Sequence, residues 1–436
     1  MYSDRHIHWL RRYNRKLDSA LRRKLMARFR PRRYVPCFLH RLVSRLLNDL
    51  AKEKIIIEMN SAVSRNDLES WAEICRQKRY GKVNRQFKTF HGFAMQASGR
   101  GIQQMVQDDR VKKVYLDREV RALLDVASPS TRAEQVWAEN VTGKGVTVAV
   151  LDTGIHPHED IKQRIVAFKD LINQSQEPYD DNGHGTHVAG DIAANGLSSA
   201  GQYRGPAPEA QLVGVKVLNK TGGGSLSTLI EGVEWCIEHK QKYGIQVLNL
   251  SLGAQAISSW EDDPLCRIAE QAWAEGLVVC AAAGNEGPDS GTIGSPGMAP
   301  SVITVGAMDD QNTTDRTDDE IAAFSSRGPT TDGLEKPDVV APGADIVSLR
   351  APGAFLDKQL GGDGAYVSMS GTSMSTPVCA GVVALMLEAA PHLTPDEVKN
   401  ILQQTAEDRG EAPNVQGRGY IDAQKAVDGA LNAGQK

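Results

Sequence analysis

The chain has 436 residues, 41% of them hydrophobic and 24% charged, which is enough for two domains and for cores that need no disulfides. The formal net charge of −4 hides an asymmetry: residues 1–50 hold 14 Lys and Arg against 3 Asp and Glu, residues 51–124 hold 15 against 9, and residues 125–436 hold 21 against 42. A front of +17 thus precedes a body of −21, which suits either an anionic partner such as nucleic acid or lipid, or a front that sits on the acidic body of its own chain.

The six cysteines have neither CxxC pairing nor zinc-site spacing, and Cys280 and Cys379 lie in apolar runs. They read as buried free thiols. The N-terminus has no uninterrupted apolar stretch of the signal-peptide kind, and no run reaches membrane-spanning length, so the expected location is cytoplasmic.

In chain order, residues 1–50 place Trp9, Leu10, Tyr13, Leu17, Leu21 and Leu25 among arginines at roughly helical spacing, which predicts amphipathic helices. "PRRYVPCFLHRLVSRLL" is a candidate for a second one. Residues 51–124 change rhythm. "KIIIEM", "KVNRQF", "HGFAMQA" and "VKKVYLDREV" read as strands, and "RNDLESWAEICRQKR" (with Asn66 as N-cap) and "GRGIQQMVQDD" as helices. The order β-α-β-β-α-β is that of a small ferredoxin-like unit. "ALLDVASPSTRAEQVWAENV" reads as a linker into a third region, 125–436. There "GVTVAVLD", "QLVGVKVL", "VLNLSLG", "LVVCAAAG" and "SVITVGAM" read as strands. "STLIEGVEWCIEHK", "CRIAEQAWAEG" and "TPVCAGVVALMLEAA" read as helices. Near-continuous Val/Ile/Leu strands with crossover helices predict an α/β domain, a mainly parallel sheet covered on both faces. Active-site residues of such sheets gather at the carboxyl ends of the strands.

Three residues there carry candidate chemistry. Asp152 ends the first strand, His184 opens "HGTHVAG", and Ser373 stands where a helix begins just before Pro377. Each has an ordinary reading alone: a turn aspartate, a loop histidine, a helix cap. Together they supply a nucleophile, a base and an orienting carboxylate in one domain. Asn285, in "AAAGNEGP", follows a buried strand, so its amide and the Ser373 N–H make a candidate two-donor oxyanion hole.

"AVLDTGI", "HGTHVAG", "AAAGN" and "GTSMSTP" resemble the four sequence blocks of the subtilisin-like serine peptidases, over roughly Gly145 to Ala426. The resemblance implies a three-layer subtilisin-like domain, with Asp152 as orienter, His184 as general base and acid, Ser373 as nucleophile and Asn285 as oxyanion donor. It also implies that "TGGGS", with Gly222, Gly223 and Gly224, and "SLG", Ser251, Leu252 and Gly253, are the extended edges that clamp a peptide substrate. Gly284 joins the substrate-binding set, and Gly253 and Gly294 match glycines that keep the first specificity pocket open to an apolar residue. No cofactor is needed for the chemistry. "DIAANGLSSAGQYRGPAPEA" departs from the calcium loop of secreted subtilisins, and the acidic "DDQNTTDRTDDE" is either a structural calcium site or a solvated loop.

The ferredoxin-like unit resembles the inhibitory propeptide of the same family, which implies self-cleavage between about Arg121 and Ser130. "PCFLH" and the absent signal peptide resemble intracellular AprX-type bacterial subtilases. Residues 1–50 then extend the propeptide, with nucleic acid or membrane contact as the alternative reading. The expected function is a serine endopeptidase made as a self-inhibited, self-processing precursor, with peptide substrate and its own propeptide as partners and neither nucleic acid nor a membrane span. The rivals are a catalytically silent binding protein on the same fold, a basic-armed nucleic-acid binder, and an esterase using the same triad.

Overall fold

The computed structural model describes residues 4–27, 51–60, 70–71, 73–75, 81–87, 90–117, 119–122, 130–311, 313, 316–360 and 364–434. They fall into two compact units, Met1–Arg118 and Glu119–Lys436.

The first unit holds α1 (Asp4–Arg12), α2 (Ser19–Ala27), β1 (Lys52–Met59), β2 (Gly81–Phe87), β3 (Gly92–Ser98), α3 (Gly99–Met105) and β4 (Val111–Leu116). The strands form an antiparallel sheet in the order β2-β3-β1-β4. Ile55, Ile57 and Met59 alternate along β1 and point into one core, which also takes Trp9, Leu10, Leu17, Leu21 and Leu25 from the arginine-rich opening. The apolar stripe of that opening is therefore used on the sheet's own core. The helical pattern read there forms two helices. The chain breaks where Leu17 bridges to Val114, and Asp18 caps α2 by accepting from Leu21 N at 2.7 Å. The expected helix over 31–47 lies outside the described residues, as does most of the one expected over 65–79. The strand read across 111–120 also divides. Its sheet pairing closes with Asp117 N donating to Lys54 O, and the next extended residues, β5 (Glu119–Ala122), belong to the second unit.

The second unit is built on β6 (Thr147–Asp152), β7 (Ile165–Asp170), β8 (Gln211–Lys216), β10 (Ile245–Leu250), β12 (Val278–Ala282), β13 (Ile303–Asp309) and β14 (Glu320–Ile321). Their order is β14-β13-β12-β10-β6-β8-β7, with β15 (Val339–Pro342) also paired to β13, and only β14 runs antiparallel. β6 and β12 are buried along their whole length, as a sheet covered on both faces requires. In chain order the helices used below are α4 (His184–Ala193), α5 (Leu226–Tyr243), α6 (Pro264–Ala274) and α7 (Thr372–Ala389). α5 carries the crossover from β8 to β10 and α6 that from β10 to β12. Contrary to the expectation that no run is long enough, α7 has the length and hydropathy to cross a membrane, but its apolar window is 89% buried inside the unit. It is the central core helix. Among the described residues five cysteines are free and buried, and burial pushes the Cys75 thiol up to about 12.

Candidate active site

β6 ends on Asp152, and α4 begins on His184. The two side chains meet with His184 Nδ1 2.8 Å from Asp152 Oδ1, both fully buried. The carboxylate can only accept, so Nδ1 carries a proton, and in the neutral ring Nε2 is the nitrogen with the lone pair. Asp152 Oδ1 also accepts from Thr153 N at 2.7 Å. The turn before α4 is organised by Asp180. Its carboxylate accepts from Asn182 N, Gly183 N, Thr186 N, Thr186 Oγ1 and Thr153 Oγ1 at 2.7–3.0 Å. That is an N-terminal helix anchor supplied from outside the helix. Asn182 Oδ1 accepts from His184 N at 3.1 Å. One turn further on, His187 and Asp191 pair at 2.9 Å in full burial, and burial raises the Asp191 carboxyl against the pull of His187.

Ser373 lies in the first turn of α7, which begins at Thr372 rather than just before Pro377. Pro377 has no N–H, so the Ser373 carbonyl lacks its helical donor. The Ser251 hydroxyl fills that place at 2.7 Å, and the Ser373 hydroxyl in turn donates to the Ser251 carbonyl at 3.1 Å. α4 and α7 both start at the carboxyl edge of the sheet and run side by side. Gly381 approaches the Ile192 carbonyl, and each of these lies eight residues past Ser373 and His184 respectively. Asn285 follows β12 through Gly284, whose φ of 113° suits glycine. Asn285 Oδ1 accepts from Thr372 N and Thr372 Oγ1, both at 3.0 Å, and Thr372 Oγ1 accepts from Gly284 N at 3.1 Å. The carbonyl end of the amide is thus tied to the start of α7, and among the described residues its Nδ2 has no hydrogen bond.

The two expected edges are extended. β9 (Gly223–Ser225) and β11 (Leu252–Gly253) flank β5 in a three-stranded antiparallel sheet, with Arg121 opposite both Gly223 and Gly253. Gly222 precedes β9 in a turn at φ 77°. A cavity of about 400 Å³ opens beside β11, lined by Gly253, Ala254, Gly284, Asn285, Ile293 and Gly294 among others. A Cβ on Gly253 would stand 2.7 Å from Ser295 O, and one on Gly294 3.2 Å from Ala254 O. Asp152 ends β6, Asn285 follows β12 and Ser373 opens α7 beside Ser251. Gly223, Gly224, Leu252 and Gly253 lie on the strands that flank β5, with Gly222 and Gly294 in the loops next to them. Among the described residues no three His, Cys, Asp or Glu side chains converge to hold an ion.

The profile of the Subtilase family matches residues 143–420. The chain belongs to that family. It is a subtilisin-like serine endopeptidase. The peptidase inhibitor I9 profile matches residues 53–123, so this subtilase carries a propeptide-type inhibitor domain with an antiparallel sheet. "Serine protease AprX" of Bacillus subtilis (strain 168) is 47% identical over 95% of this chain and 96% of its own length. "Subtilisin E" of the same strain is 34% identical over 86% of this chain and 91% of its own. Fervidolysin from Fervidobacterium pennivorans, a keratinolytic enzyme related to subtilisin, has a similar fold (TM-score 0.69, 22% identity) over 87% of this chain and 61% of that one.

The sequence reading missed the support of this subtilase site: Asp180, Asn182, Thr153 and Lys216. "DDNGHG" did hold a signal, an Asx-rich turn directly before a helix. So did "QLVGVKVL", where a lysine interrupts a buried strand.

Proposed function

We propose that Asp152, His184 and Ser373 form the catalytic triad and that Asn285 Nδ2 and the Ser373 N–H form the oxyanion hole. The observation that carries this is the buried 2.8 Å contact between His184 and Asp152, on a helix running alongside the one that Ser373 opens. The Ser373 hydroxyl turns from Ser251 O to His184 Nε2 and gives up its proton as Oγ attacks the scissile carbonyl. The resulting oxyanion is met by the two N–H donors. His184 then protonates the leaving amine, and water repeats the sequence on the acyl-enzyme.

The substrate peptide enters as a strand between β9 and β11, in the place of β5, so that Gly223, Gly224, Leu252 and Gly253 read its main chain. Gly284 and Gly294 wall the cavity that takes the apolar side chain before the cut. β5 supports self-inhibition, because the chain's own residues 119–122 occupy the strand position a substrate would need. In this reading residues 51–124 are the inhibitory propeptide, residues 1–50 its basic extension and residues 125–436 the peptidase. The cytoplasm is the compartment attached to the AprX-type resemblance, and cell fractionation tests it. No cofactor takes part in the chemistry. A structural calcium at the acidic stretch 309–320 rests on composition alone, and melting in calcium against chelator tests it.

The deciding experiment compares the full chain with Ser373→Ala in a host free of other proteases. Mass spectrometry should show two chains for the first and one for the second. A fluorophosphonate should label Ser373 in the processed protein. Processing of the alanine variant at the same bond, or no adduct on Ser373, would overturn the assignment and favour the silent-binder reading.

A further inference from the structure

Lys216 closes β8 and is fully buried. It stands opposite Asp152 in the β6–β8 register and opposite Asp170 in the β7–β8 register. An ammonium group is not left in a protein interior without partners, and here they are specific. Lys216 Nζ donates to the carbonyl of Thr153, the residue after Asp152. It also donates to Asp181 Oδ1 at 2.6 Å, three residues before His184. It lies over the Tyr179 ring, 5.1 Å from the centroid. One cation thus joins the strand end that bears the orienting carboxylate to the loop that bears the base.

Thr153 makes the same connection with its side chain. Its hydroxyl donates to Asp180 at 2.9 Å and accepts from Gly185 N at 2.9 Å. The loop between Tyr179 and His184 and the end of β6 are therefore tied on two sides of Thr153, by its carbonyl through Lys216 and by its hydroxyl through Asp180. The imidazole and the carboxylate it meets come from separate elements, and this tie joins those elements.

We propose that Lys216 is a positioning residue for the triad: its buried ammonium clamps Thr153 to Asp181 and so holds His184 against Asp152. The proposal rests on the roles given above to those two residues. Lys216 touches neither substrate nor the reacting atoms. Its loss acts through the geometry of the His184–Asp152 pair, where a displacement on the order of 1 Å lowers turnover by up to about 100-fold. Substrate binding along β9 and β11 is left in place.

The test uses the self-processed enzyme, peptide anilide turnover, and the downfield proton resonance of His184 Nδ1–H. Lys216→Met keeps the length of the side chain without its charge. Asp181→Asn removes the ionic partner at a site 34% exposed while keeping a side-chain oxygen for Lys216 Nζ to donate to. Lys336→Met is the matched control, because Lys336 is equally interior but donates to Val302 O and Asp338. Lys216→Met should lower kcat by about 10- to 100-fold with KM within twofold, and should broaden or shift the His184 resonance. Asp181→Asn should move both readouts the same way by less. Lys336→Met should lower Tm with kcat unchanged. Wild-type kcat and resonance in Asp181→Asn, or a kcat loss in Lys336→Met equal to that in Lys216→Met, would overturn the clamp. If Lys216→Met does not fold, Asp181→Asn decides: a lowered kcat with KM within twofold supports the clamp, and wild-type kcat and resonance, or an equal kcat loss in Lys336→Met, overturn it. A wild-type chain without Ser373-dependent turnover would overturn the triad reading itself, which is a separate outcome.

Discussion

In the proposed reading Asn285 does two jobs with the two ends of one amide, and substitution can separate them. Its Oδ1 accepts from the N–H and the hydroxyl of Thr372, both at 3.0 Å, while Nδ2 is the proposed oxyanion donor. Asn285→Ala removes both functions. Two hydrogen bonds at about 1 kcal/mol each predict a stability loss of about 2 kcal/mol. One lost oxyanion donor predicts a fall in kcat of about 100- to 1,000-fold, or about 3–4 kcal/mol of barrier, a magnitude carried over from a subtilisin of this same family. Asn285→Asp keeps the acceptor and replaces the donor with a carboxylate oxygen, next to the place where negative charge develops. It should melt near the wild type yet turn over at least as poorly as the alanine variant, with little change in KM. The assay is steady-state cleavage of a peptide anilide, with melting followed in Ser373→Ala backgrounds to avoid self-digestion. Turnover by Asn285→Asp within threefold of wild type would refute the donor role, whatever the alanine variant does.

Other expectations follow from the strands and from one charge pair. Arg121 pairs with Gly253 and Ala122 with Leu252, so the chain runs along β11 towards the proposed nucleophile. The mature chain should begin between about Arg121 and Ser130, and N-terminal sequencing that finds a start outside that span breaks the self-processing argument. Gly253→Ala brings a Cβ within 2.7 Å of a backbone oxygen, so β11 must shift. KM for peptides should rise several-fold while reactivity towards a small fluorophosphonate is kept, and equal loss of both would point to a disturbed nucleophile instead. In the first unit the Arg110 guanidinium, with Trp71, holds the Asp108 carboxyl down to about 2. Its folded pKa is depressed, so its contribution, about 1 kcal/mol after solvent screening, is present above pH 4 and fades as pH falls towards 2. Asp108→Asn should lower the urea midpoint followed by tryptophan fluorescence at pH 7 and lower it much less at pH 2.

The β-rich core was legible because its strands are buried on both faces and read as unbroken apolar runs. The β6 and β12 strands fell close to their expected places for that reason. β7 was not read as a strand, since it lies at the sheet's edge and mixes half-exposed with polar positions. A late helix, Pro395–Thr405, was also passed over, although Thr394 and Glu397 form a full capping box that is spelled out in "TPDE". For the site, the side chains of the proposed triad stood out by chemical type, whereas the groups that hold them did not. Asp180 and Lys216 gain meaning only through contacts across 27 and 63 residues of chain with Thr153, and no local pattern encodes such pairings. The start of α7 was misplaced because Pro377 was taken to mark a first turn. The helix tolerates it later because Ser251 satisfies the stranded carbonyl.

That substitution of a serine hydroxyl for a missing amide has a result of its own. In the proposed reading, the residue that braces the Ser373 main chain also starts the ledge on which a peptide would be laid down, so a single side chain would set the height of the blade relative to the cutting board. A drift of that ledge would then carry Ser373 with it, through the two hydrogen bonds that join them.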